Sequence, residues 1–148
     1  MADPEAQLET LLARFLPEVA AVGRATIARL RACLPGCDVL VYDNYNALAV
    51  GFSPTGKTGN AFLSVALYPR WVSLFMSAGL DDPSGLLKGE GTKVRHIVLK
   101  SADVLDNPAI AALLAQAIEL AIVPSAEKRQ STLVIKSISA NQRPRRPG

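Results

Sequence analysis

Gly51-Phe52-Ser53-Pro54-Thr55-Gly56-Lys57-Thr58, running on through Gly59-Asn60-Ala61-Phe62-Leu63-Ser64-Val65-Ala66-Leu67-Tyr68, can be read in two ways, and the choice decides the fold. Its first eight residues match the phosphate-binding pattern G-x-x-x-x-G-K-[ST] letter for letter. That pattern works only where a helix starts at the lysine, so that backbone N–H groups and the helix dipole hold the phosphates. Here Leu63, Val65 and Leu67 recur every second residue, which is the period of a strand. Pro54, Gly56, Gly59 and Asn60 are turn residues. The segment therefore reads as the bend of a hairpin and not as a nucleotide cradle.

The hairpin sets the reading of its neighbours. Upstream, Val39 to Tyr42 and Tyr45 to Phe52 read as strands around a turn or bulge at Asp43-Asn44. Downstream, Trp71 to Ser77 and Lys93 to Lys100 read as strands. The glycine-containing residues 79–92 between them read as loop. Leu8, Leu11, Leu12 and Phe15 share one helical face, and Pro17 opens a second helix that runs to about Cys33. Asp106-Asn107-Pro108 caps a third helix, whose stripe runs from Ile110 to Ala121. Thr132 to Ile138 reads as a last strand. Short turns between consecutive strands imply antiparallel pairing. The expectation is one α+β domain over residues 1–139: an antiparallel sheet of about five to six strands with helices packed on one face. Residues 140–148, with two prolines and three arginines, read as a basic, flexible tail.

Composition narrows the function classes. The 148 residues suit one domain, and two cysteines are too few for a disulfide-rich secreted scaffold. The start, Met-Ala-Asp-Pro-Glu, lacks the basic and apolar regions of a signal peptide, and no apolar run reaches the ~20 residues of a bilayer span. A cytoplasmic protein with no membrane partner is expected. The net charge of +3 conceals an asymmetry. From residue 127 onward six basic residues stand against Glu127 alone, so this end carries +5 and the body −2. A nearly neutral body argues against a nucleic-acid partner, and Arg143-Pro144-Arg145-Arg146-Pro147 lacks the interleaved aromatics of a single-strand platform.

Several residues have chemistry to offer. Tyr42-Asp43-Asn44-Tyr45-Asn46 interrupts apolar strands with groups that can orient a ligand or can bond their own backbone in a bulge. His96, the single histidine, fits a structural role on its strand or an anion contact. Lys88-Gly89-Glu90-Gly91-Thr92-Lys93 is a solvated turn or an anion cradle. Trp71 reads as core or edge packing. Cys33 and Cys37, with three residues between them, read as unpaired thiols at a helix end, because a zinc site wants four ligands.

Tyr42-Asp43-Asn44-Tyr45-Asn46-Ala47-Leu48, Tyr68-Pro69-Arg70-Trp71-Val72 and Gly89-Glu90-Gly91-Thr92-Lys93-Val94-Arg95-His96 together resemble the bacterial YdhG-like domain of unknown function, over roughly residues 10–122. The resemblance implies helices packed on an antiparallel sheet. Some members are described as frataxin-like iron chaperones, which implies a ridge of carboxylates. Asp3, Glu5, Glu9 and Glu18 are here interspersed with Arg14, Arg24, Arg29 and Arg31, so no metal ligand is carried over.

No catalytic constellation is legible, and no cofactor is implied. The expected function is a small, non-enzymatic binding domain for a small anionic ligand or a protein partner, a second copy of the chain included. Tyr42, Asn44 and Tyr45 would orient the ligand, and Arg70, Lys93 and His96 would meet its charge. The alternative, implied by the resemblance, is an iron chaperone.

Overall fold

The computed structural model describes residues 3–148. Two helices come first, α1 (Pro4–Leu12) and α2 (Pro17–Cys33), each with proline in its first turn, where a missing N–H costs nothing. α1 stops before the expected Phe15, because the chain must turn there to let Pro17 open α2; Phe15 is nonetheless buried. Five strands follow: β1 (Asp38–Asp43), β2 (Leu48–Ser53), β3 (Leu63–Leu67), β4 (Val72–Ser77) and β5 (Val94–Leu99). A short 3-10 turn at Ala102–Asp106 leads into α3 (Pro108–Ala121), and β6 (Leu133–Ile138) comes last.

The sheet order is β5-β4-β3-β2-β1-β6. β1 through β5 form an antiparallel meander, and β6 pairs with β1 in parallel. The α+β class is as expected, but the sheet is mixed. α3 carries the chain from the far end of β5 back to the starting end of β1, and such a helical crossover delivers a parallel strand.

Register explains the core. Val41, Val50, Val65, Leu74 and Ile97 face one another in a row across five strands. All five are buried in one cluster with Leu8, Leu12, Phe15, Ile27, Leu30, Ile110 and Leu113, so the helices pack on this face. The opposite row, Ala49, Ala66, Ser73 and Val98, is small and flat. On this outer face the β2–β3 connection folds back against β1 and β2: a Cβ added at Gly51 of β2 would meet Ala61 at 3.6 Å, and Thr58 meets the Tyr42 hydroxyl.

That connection is the segment with the phosphate-loop spelling. Ser53 Oγ donates to the Lys57 carbonyl (2.8 Å) and accepts from Gly56 N (3.0 Å), and Gly56 adopts φ +84°. Only a single 3-10 turn, Thr58–Asn60, follows the lysine before β3 pairs antiparallel to β2. No α-helix begins at Lys57 whose N-terminus could receive a phosphate.

The C-terminal segment differs from expectation. It does not extend as a flexible basic tail but folds back on the end of the sheet, where the Arg145 side chain is 2% exposed. The reason is Asp43, equally buried, which alternation places on the helix-covered face beside Val41. A buried carboxylate requires a partner, and Arg145 supplies it at 2.8 Å.

Candidate functional site

β1 and β3 both end where the β1–β2 and β3–β4 turns lie, and β6 delivers the chain's last residues to that same end. The three meet around an open cleft of about 520 Å³. The β3–β4 turn is tight, with Tyr68 N donating to the Trp71 carbonyl at 2.9 Å. Pro69 and Arg70 occupy the bend, so Tyr68 and Trp71 stand opposite each other. Their rings stack at 4.7 Å and 16° between planes, and Trp71 stays 43% exposed. Burial pushes the Tyr68 phenol above its ordinary pKa, so at neutral pH it is a neutral hydroxyl.

Charge enters from two sides. Arg70 comes from the bend and Arg143 from the C-terminal segment, while Asn46 adds an amide from the β1–β2 turn. Arg143 N donates to the Tyr45 carbonyl (2.9 Å), and its guanidinium lies 5.8 Å over the Tyr45 ring. No carboxylate lines the cleft, and among the described residues neither arginine forms an ion pair. Two permanently charged forks beside a stacked aromatic pair can take a carboxylate or phosphate together with a planar or apolar group.

The six residues expected to bind ligand are not brought together. Arg70 lines the cleft. Tyr45 contributes through Arg143, and Asn44 offers its carbonyl to the Arg145 guanidinium. Tyr42 points its hydroxyl to Thr58 Oγ1, tying β1 to the hairpin that folds over the outer face. Lys93 sits at the opposite end of the sheet, against a groove with Phe62, Phe75 and Val94. His96 packs beside Phe75 at 5.5 Å, while its backbone exchanges two bonds with Lys88 at 2.8 and 3.0 Å. The glycine loop is thus pinned as an added rung outside β5.

Asn46, Tyr68, Trp71 and Arg143 are cleft residues that sequence reasoning left out of the expected ligand set. The two aromatics flanking Pro69-Arg70 carried a signal, since a two-residue bend sets its flanks face to face. Arg143 carried none, because the turn it packs on, at Tyr45, is remote from it in sequence.

The helix acids are committed elsewhere. Glu5 takes both prongs of Arg31 at 2.8 Å, and Glu9 takes Arg24 at 3.0 and 2.6 Å. These arginines hold both carboxyls below the usual glutamate range. Among the described residues no three His, Cys, Asp or Glu side chains converge to hold a metal ion, and no helix is long and apolar enough to cross a membrane. Cys33 is exposed and Cys37 buried, both free; burial raises the Cys37 thiol to about 11. Compared with family models, curated proteins and solved structures, the chain matches none, so the YdhG-like resemblance rests on its three motifs.

Proposed function

We propose that this chain is a binding domain for a small anion that carries a planar or apolar group, and that the cleft at the turn end of the sheet is its site. One observation carries the reading: Arg70 and Arg143, which form no ion pair among the described residues, line the same cleft as the stacked Tyr68–Trp71 pair. The arginines would grip the anionic group, the rings would take the flat part, and Asn46 would fix orientation. The lining is made of aromatic, amide and guanidinium side chains, which suit recognition of such a ligand.

Trp71 is the single tryptophan and lies in the cleft, so its emission reports on occupancy. Phenyl phosphate should change that emission saturably, while benzyl alcohol at equal concentration should not. Arg70→Gln and Arg143→Gln should each weaken phenyl phosphate about tenfold, the scale of one charge-assisted hydrogen bond. Unchanged emission and an unchanged Tm in about 10 mM phenyl phosphate would remove the reading. The iron-chaperone alternative has weaker support, because Glu5 and Glu9 are already bound to arginine. Micromolar binding in an anaerobic ferrous titration would revive it.

A further inference from the structure

Residues 139–148 are fastened well beyond what one cleft residue needs. Ser139 N and Gln142 Nε2 donate to the Asp43 carbonyl at 2.8 and 3.1 Å. The Asp43 carboxylate accepts from Gln142 Nε2 (2.7 Å), Arg145 Nη2 (2.8 Å) and Arg14 Nη1 (3.3 Å). Arg146 closes the segment on the end of α1, donating to the carbonyls of Arg14 (3.0 Å) and Ala13 (3.3 Å). Arg145 lies 5.8 Å from the Phe15 ring, and its Nε is buried without a partner. A guanidinium taken out of water and left partly unsatisfied adds little net stability. What the pair does specify is position: Arg143 is two residues from Arg145, and Pro144 between them fixes one backbone torsion.

We propose that residues 140–148 are a strap, and that the Asp43–Arg145 pair is the lock that holds Arg143 in the cleft. Arg145 is then a positioning residue for anion binding, acting through Arg143 without touching the ligand. The ligand part rests on the binding function proposed above; the strap itself does not. With the strap docked, the cleft has both cations and a third wall. With it released, the cleft keeps Arg70 alone and Trp71 gains exposure.

The sequence provides a direct assay. Trypsin does not cleave before proline, so Arg143-Pro144 and Arg146-Pro147 are chemically protected, and Arg145-Arg146 is the one susceptible bond in the strap. In the full chain, Asp43→Asn should speed loss of residues 146–148, followed by intact mass, at least tenfold. It should also raise acrylamide quenching of Trp71 and weaken phenyl phosphate about as much as Arg143→Gln does. Arg145→Lys keeps the charge with fewer donors and should fall between wild type and Asp43→Asn; it carries the test if circular dichroism shows Asp43→Asn unfolded. Equal cleavage rates in wild type and the lock variants would overturn the proposal. So would a freed strap that leaves Trp71 quenching at the wild-type value. If the wild type binds no phenyl phosphate, the ligand reading fails, while cleavage and quenching still decide the strap.

Discussion

A methyl group at Gly36 would stand 2.1 Å from the Pro124 carbonyl oxygen. The oxygen belongs to backbone and a Cβ has no rotamer of its own, so no rotamer change relieves the clash. Gly36→Ala should cost about 2–3 kcal/mol and lower Tm by roughly 5–10 °C in a thermal melt. Gly59→Ala makes the control: nothing lies within 4 Å of its added Cβ, and its stability should stay within about 0.5 kcal/mol of wild type. The pair separates glycines that admit a neighbouring chain from glycines that only loosen a turn, a distinction the letters alone do not make. Asp38 gives a second case at this scale. Arg129 grips its two oxygens at 2.8 and 2.9 Å, and Thr132 N donates at 2.9 Å. Those bonds hold its pKa below the ordinary 3.8. A depressed carboxyl contributes stability that is complete above the ordinary value and drains away as pH falls through the depressed one. The Tm gap between wild type and Asp38→Asn, open near about pH 6, should therefore close below pH 3.8.

At the scale of elements, local chemistry was the most legible part of the sequence. Asn107 accepts from Ala109 N (2.9 Å) and Ile110 N (3.4 Å), the cap that Asp106-Asn107-Pro108 announces. Asn107→Ala should cost about 1 kcal/mol in denaturant unfolding, with an unchanged slope. The alternation in β3 correctly placed Leu63, Val65 and Leu67 on one face, and a one-residue slip would turn every side chain over. The hairpin after Lys57 was legible for the same reason. β6 was visible as a strand, but its direction was not: direction depends on which end of the sheet α3 returns to, and no local pattern encodes that.

At the scale of the whole molecule, the candidate site was legible only in part. Arg70 was found because charge on a proline bend is conspicuous. Tyr42, Lys93 and His96 were grouped with it by residue type, and the meander sends them to different parts of the sheet. Arg145 was the hardest residue to read. A run of arginines and prolines has the composition of a solvated tail, and only the buried carboxylate of Asp43, 102 positions earlier, gives one of them a buried counterpart. Composition counts charges; only the fold shows which of them have counterparts.

The parallel rung between the first and last strands sets a schedule for the nascent chain. Leu133 follows its partner Val39 by 94 positions, so β1 can complete its pairing only after the other strands and α3 have been made. Until then Val39, Leu40 and Val41 present an open, apolar ladder to whatever strand is nearby. Synthesis that pauses before residue 133 thus leaves an adhesive edge, and strand exchange between unfinished molecules becomes the characteristic hazard of this topology.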